Sequence, residues 1–263
     1  MSFAPGQSRR RFTTIRAIGA LILREMSTTY GRSPGGYLWL VVEPVAAIAL
    51  LSVAFSLAFR APSLGENFPL FYATAYLPFA FFMELSNKLG GAIRFSKSLL
   101  SFPVVTFVDA LAARALLSLL INILVFLLIM TGIVVIFDLN PVIEPLQVVN
   151  SFAMILVLAG GIGTLNSYLF LTFPVWKRLW KVMTRPLFIL SGIFFLLEDV
   201  PENLQFVLLY NPIFHITAEM RSAFYGIYNP DYITPVYPYA VGAVTLFFGL
   251  LLLYRHYDEL IWK

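Results

Sequence analysis

Long stretches without a single charge decide what this chain becomes. Residues 44–59, 115–137 and 145–176 hold no Asp, Glu, Lys or Arg. Each approaches or exceeds the ~20 apolar residues that carry a helix across the hydrocarbon core of a bilayer. Inside that core no water reaches the backbone, so a crossing segment must satisfy its own N–H and C=O groups, as a helix does. Of the 263 residues, 59% are hydrophobic and 12% charged, about half the ~25% charge content of soluble domains. The chain reads as an all-α integral membrane protein.

Six transmembrane helices follow from the pattern. The first is expected over 37–59. The second covers about 68–85, carries Pro69 and Pro78, and closes near Glu84. The third covers 115–137, although its helix can start as early as Phe107 and take in Asp109 and Arg114. The fourth lies within 145–176. The fifth is short of apolar residues, since only 186–197 is uncharged. It must therefore begin near Trp180, which sets Lys177, Lys181 and Arg185, spaced four apart, on one face at the headgroups. The sixth covers 232–254. Between spans five and six, 204–218 is apolar but broken by Asn211-Pro212, and an amphipathic continuation runs through Glu219, Arg221 and Tyr225. Two outer re-entrant half-helices are expected there, allowed where protein or water satisfies the freed backbone.

Ahead of the first span, Phe12, Ile15, Gly19, Ile22, Met26 and Tyr30 recur at helical spacing opposite Thr13, Arg16, Ala20, Arg24 and Ser27. That is the pattern of an N-terminal amphipathic interface helix drawn to anionic lipid by its arginines, although packing on another subunit would bury the same face. Arg9-Arg10-Arg11 is no twin-arginine signal, because Arg16 and Arg24-Glu25 interrupt the apolar region behind it. Ser33-Pro34-Gly35-Gly36 breaks the helix before the first span. Tyr37 and Trp39 then suit headgroup depth. The whole is one transmembrane domain, 1–263, made of a cytoplasmic amphipathic segment (1–36), the six-span region (37–254) and a cytoplasmic tail (255–263).

All 18 Lys and Arg except Arg60, Arg114 and Arg221 fall on one side of this arrangement. By the positive-inside rule both termini are cytoplasmic. Glu66, Asp138, Glu144, Glu198, Asp199, Glu202, Glu219 and Asp231 gather on the other side. The net charge of +4 thus reflects membrane sidedness, and nucleic acid is not expected as a partner. The chain has no cysteine, which excludes disulfides, Cys-based zinc sites and a thiol nucleophile.

Signs of chemistry are few. No glycine is followed by lysine, so the phosphate-cradling Gly-x-x-x-x-Gly-Lys loop is missing and the chain is not expected to handle ATP itself. His215 and His256 fall on opposite sides, against a two-histidine metal site. Glu198, Asp199, His215, Glu219 and Arg221 are the groups a membrane-embedded enzyme acting on lipid-linked sugars would use, or they form a solvated rim. Asp109 and Arg114 are costly in lipid. Being five apart, they diverge by about 140° around a helix, so each is expected to have its own partner, and a proton relay for a secondary transporter would be thin. Gly160-Gly161-Ile162-Gly163 permits close helix approach or a flexible gate. Tyr72, Tyr76 and the tyrosines of 225–239 suit either sugar stacking or an interfacial belt.

Arg24-Glu25, Tyr30-Gly31-Arg32-Ser33, Gly35-Gly36-Tyr37-Leu38-Trp39 and Glu43-Pro44, at the head of a six-span chain, resemble the inner-membrane permeases of polysaccharide-exporting ABC transporters. The likeness is greatest to the capsular-polysaccharide (KpsM-type) permeases, with the O-antigen and lipo-oligosaccharide exporters as relatives, and covers essentially the whole chain. The resemblance implies export of a lipid-linked acidic polysaccharide across the bacterial inner membrane, a homodimer, and ATP bound by two copies of a cytoplasmic ATPase. Periplasmic and outer-membrane export proteins would be further partners. It also implies that the basic loop 88–102 forms a helix seated in the ATPase, with Arg94 and Lys97 as polar and Phe95, Leu99 and Leu100 as apolar contacts. A lipid phosphate would be received by Arg24 and Arg32, whose forks suit phosphate oxygens. Tyr37, Trp39, Tyr72 and Tyr76 complete the expected substrate set.

Overall fold

A computed structural model describes residues 7–30, 35–100 and 105–256, and every regular element among them is helical. In chain order these are α1 (Gln7–Glu25), α2 (Gly36–Ser56), α3 (Phe68–Gly90), α4 (Ala92–Leu100), α5 (Phe107–Ile136), α6 (Pro145–Thr172), α7 (Pro174–Leu190), α8 (Glu202–Leu209), α9 (Pro212–Ser222) and α10 (Val236–Arg255). A π-turn, Met26–Tyr30, follows α1.

Local chemistry sets the boundaries. Gly35 has φ +90° and opens α2 in the left-handed conformation, which glycine adopts without steric cost. Asn67 caps α3 by accepting from the Leu70 amide at 2.9 Å, and Asn211 caps α9 from Ile213 at 3.1 Å. Prolines stand in the first turns of α3, α6, α7 and α9, where no N–H is needed. Thr106 and Asp109 form a capping box at the start of α5. The third expected helix thus starts at Phe107, and its aspartate serves the helix that carries it.

Five helical stretches are long and apolar enough to cross a membrane: Leu38–Ser56, Phe68–Leu100, Phe107–Ile136, Pro145–Thr172 and Val236–Arg255. The second joins α3 and α4 across Gly91. The expected fifth span, 180–197, is not among them. Helix α7 begins six residues earlier, at the N-terminal proline Pro174, carries Lys177, Arg178, Lys181 and Arg185, and stops at Leu190. Gly192, at φ +69°, turns the chain beyond it. The break at Asn211-Pro212 falls between two short helices, α8 and α9.

Helix α3 is the centre of the bundle: its stretch is 67% buried, against 11% for that of α2. It packs against α2, α5, α6 and α9 through Phe71, Tyr72, Phe81, Phe82 and Leu85. The broadest helix contact is α6 on α10, and glycine makes it possible. A Cβ on Gly242 would stand 2.6 Å from the Val157 carbonyl oxygen, and one on Gly249 would stand 2.6 Å from the Leu165 nitrogen. A Cβ on Gly161 would fall on the Gly242 carbonyl. Within the 160–163 cluster, Gly161 thus packs on the α10 backbone and Gly163 on Ser86 and Leu89 of α3, whereas Gly160 faces open space. Helix α1 lies on α5 with Leu21 and Glu25 buried and Leu23 and Arg16 exposed. Its inward line thus passes one residue to the side of the expected Ile22 line, because Glu25 is drawn to a cation on α5.

Candidate functional site

The end of the bundle on which α1 packs is held by one cation. Arg114, in the second turn of α5, donates from Nε to Glu25 Oε2 at 3.1 Å and from Nη1 to the Lys88 carbonyl at 2.6 Å. Its guanidinium lies 4.2 Å from the centre of the Phe95 ring, within cation–π range. The Arg24 guanidinium approaches the same ring at 5.3 Å. Both side chains of the Glu25–Arg114 pair are less than a tenth exposed. Helices α1, α3, α4 and α5 are thereby joined at one point, and Asp109 and Arg114 have separate partners. Arg24 Nη1 is buried without a hydrogen-bond partner, a cost that a bound anion would remove.

One turn deeper, Glu84 on α3 pairs with Lys88 and accepts from Ser118 Oγ at 3.4 Å and from Asn122 Nδ2. Glu84 and Asn122 line a cavity of about 160 Å³ together with Glu43 and Tyr76, and Phe81, Phe126 and Phe152 are among its walls. A carboxylate at this depth is costly in lipid. Here a lysine, a hydroxyl and an amide compensate it.

The expected site residues separate into groups. Arg24 and Phe95 meet, although one belongs to the substrate set and the other to the coupling set. On α4, Arg94, Phe95 and Lys97 are exposed, Leu99 is half-buried, and Leu100 is buried in the core. Trp39 is 68% exposed. Tyr76 lines the cavity, whereas Tyr72 is buried against Phe55, Phe68 and Phe71. Arg32 lies outside the described residues, as does the side chain of Tyr37. Sequence reasoning named Glu25 only within the Arg24-Glu25 motif, passed over Asn122 and treated Glu84 only as the end of a span. An ionisable residue inside a span was the available signal for Glu84; nothing local pointed to the partner of Glu25 or to Asn122.

At the other end of the bundle, four of the five candidate catalytic groups have their own partners, and Glu198 is exposed. Asp199 accepts from the Leu196 amide at 2.9 Å, and Glu219 accepts from Asn150 Nδ2 at 2.8 Å. His215 Nδ1 accepts from the Thr234 amide at 3.3 Å, which leaves Nε2 to donate to the Leu209 carbonyl at 2.9 Å. Arg221 is buried, donates to the carbonyls of Phe195 and Ile193, and lies over the Phe71 ring at 4.1 Å. It thus holds the non-helical stretch beyond α7. Burial raises the hydroxyl pKa values of Tyr225, Tyr228 and Tyr232 nearby, so these phenols stay protonated. Among the described residues no group of three His, Cys, Asp or Glu is placed to hold a metal ion.

The class is therefore a multi-pass helical membrane protein with a basic face and a short amphipathic helix, α4, at one end. The description of the ABC-2 type transporter family matches residues 16–225. The chain is 31% identical over 242 residues to the polysialic acid transport protein KpsM of Escherichia coli, covering 92% of this chain and 93% of that protein. It is 29% identical over 241 residues to the capsule polysaccharide export inner-membrane protein CtrC of Neisseria meningitidis serogroup A, 91% of each. With the corresponding protein BexB of Haemophilus influenzae it shares 27% identity over 212 residues, 80% of each. The chain belongs to the ABC-2 type transporter family.

Proposed function

We propose that this chain is the transmembrane permease subunit of an ATP-driven exporter that moves lipid-linked, acidic capsular polysaccharide out across the bacterial inner membrane. The observation that carries this reading is the likeness to a polysialic acid transport protein over 92% of the chain and to a capsule polysaccharide export inner-membrane protein over 91%. The permease would work as a homodimer with two copies of a cytoplasmic ATPase that bind the ATP, and would hand its cargo to periplasmic and outer-membrane export proteins. Both termini would lie in the cytoplasm. Helix α7, continued by the stretch that Arg221 holds, would complete a sixth crossing, with α8 and α9 as half-helices entering the outer leaflet.

In this reading α4 seats in the ATPase through Phe95 and Leu99, with Arg94 and Lys97 beside them, while Leu100 anchors the helix to the permease core. Arg24 and Arg32 receive the lipid phosphate, near Tyr37 and Trp39, and Tyr72 and Tyr76 belong to the path beyond. The support is the orphaned Nη1 of Arg24 and its position beside the α4 ring.

Two tests follow. Phe95→Ala with Leu99→Asp places an unpaired carboxylate in the docking surface, a cost of about 3–5 kcal/mol. Capture of the ATPase should fall more than tenfold and surface polysaccharide should be lost, with the permease still inserted; undiminished capture and export would refute the docking role. Arg24→Glu with Arg32→Glu should abolish export, whereas Arg→Lys at both should keep part of it, because charge remains and the bidentate fork is lost. Accessibility of the termini to labelling should not change, since Arg9, Arg10, Arg11 and Arg16 remain. Full export in the Glu double variant would eliminate the phosphate site.

A further inference from the structure

A second basic feature lies on the other side of α4. Arg94 and Lys97, one helical turn apart, line a groove of about 380 Å³ with Lys177 from the first turn of α7. The remaining lining residues are Ile93, Phe170, Leu171 and Pro174, so among the described residues the groove has three cations, an apolar floor and no acidic side chain. All three cations are exposed. Helix α7 starts here with no side-chain cap on its first turn, which directs the positive end of a helix at the same space. Phe170 and Leu171 belong to the last turn of α6, so the apolar floor continues directly into a spanning helix.

We infer that this groove binds an anionic phospholipid of the cytoplasmic leaflet, its phosphate held by Arg94, Lys97 and Lys177 and one acyl chain laid against Phe170 and Leu171. Charge complementarity sets the sign of the occupant, because three neighbouring cations repel one another until an anion joins them. The floor sets its amphipathic character, since a soluble anion would leave that apolar surface wet. Depth agrees as well: the α6–α7 junction marks where an uncharged span gives way to the cations Lys177, Arg178 and Lys181, the level at which basic side chains meet headgroups. A lipid bound there would join α4 to α7, two helices that otherwise meet through α6. It would also take up the two cations that the docking reading gives to the ATPase, and the experiment separates the two uses.

The test is native mass spectrometry of the purified full-length permease, released from nanodiscs of equal phosphatidylglycerol and phosphatidylcholine. The wild-type protein should retain phosphatidylglycerol, and Arg94→Gln/Lys97→Gln/Lys177→Gln should retain at least tenfold less. Lys181→Gln/Arg185→Gln, which removes two charges from α7 outside the groove, should retain it as the wild type does. Equal retention by the groove variant would overturn the inference. So would equal loss in both variants, because the lipid would then respond to net charge alone. Separate capture of the ATPase by the groove variant gives the remaining outcome: lost capture with lipid retained would assign the groove to the protein partner.

Discussion

Replacing Arg114 with alanine should destabilise the folded permease by about 3–5 kcal/mol, the range for leaving one member of a buried ion pair uncompensated. Glu25 would lose its ion-pair partner at 5% exposure, the Lys88 carbonyl would lose its donor, and the Phe95 ring would lose the closer of its two cations. The consequence should reach α1, α3 and α4 together. In a detergent melt Arg114→Ala should unfold well below the wild type, and export should fall with it. Arg114→Met combined with Glu25→Leu should recover much of the loss, because an apolar pair of similar volume replaces a buried ion pair with little penalty. A double variant as unstable as Arg114→Ala would show that the pair is not the cause.

The second large effect sits at the opposite size extreme. Gly242→Ala adds one methyl group, but that carbon would meet the Val157 carbonyl oxygen at 2.6 Å and the Leu158 nitrogen at 2.7 Å. Both are backbone atoms of α6 and neither can rotate away. Overpacking costs ~1–3 kcal/mol where side chains can adjust; here two helices must separate, so the loss should exceed that range and the yield of monodisperse protein should collapse. Gly160→Ala is the matched control. Nothing lies within 4 Å of a Cβ at that position, and alanine favours a helix interior over glycine by about 1 kcal/mol, so the variant should be at least as stable as the wild type. Similar yields of Gly160→Ala and Gly242→Ala would contradict the backbone contact.

What the sequence discloses here is what neighbouring residues decide among themselves. Spans appear because apolar runs have a length, and the helix breaks at Asn211-Pro212 and before α2 appear because proline restricts its backbone and glycine frees its own. The end of α7 was harder to place, since apolar residues continue to Leu197 while Gly192 turns the chain at a point that hydrophobicity does not mark. Side-chain partnerships were harder still. Glu25 and Arg114 are 89 positions apart, and only the packing of α1 on α5 chooses one partner among several basic residues. Tyr72 shows the limit from the other side: an interfacial residue type, it lies at 2% exposure among phenylalanines because α3 is central.

That central position bears on how the chain is made. Of the five stretches able to cross the membrane, the one containing α3 is the least apolar, and it carries Glu84 and Lys88 into the bundle. The partners that satisfy Glu84, Ser118 and Asn122, lie on α5 and leave the ribosome more than thirty residues later. The aromatic ring of Phe152, beside Phe81, comes later again, on α6. During synthesis α3 must therefore wait at the membrane, with its carboxylate joined to little more than Lys88 on its own helix, until the segments behind it arrive. A chaperone-like insertase would have its longest task at this helix, and a ribosome stalled before α5 should leave α3 extractable while α2 is already held in lipid.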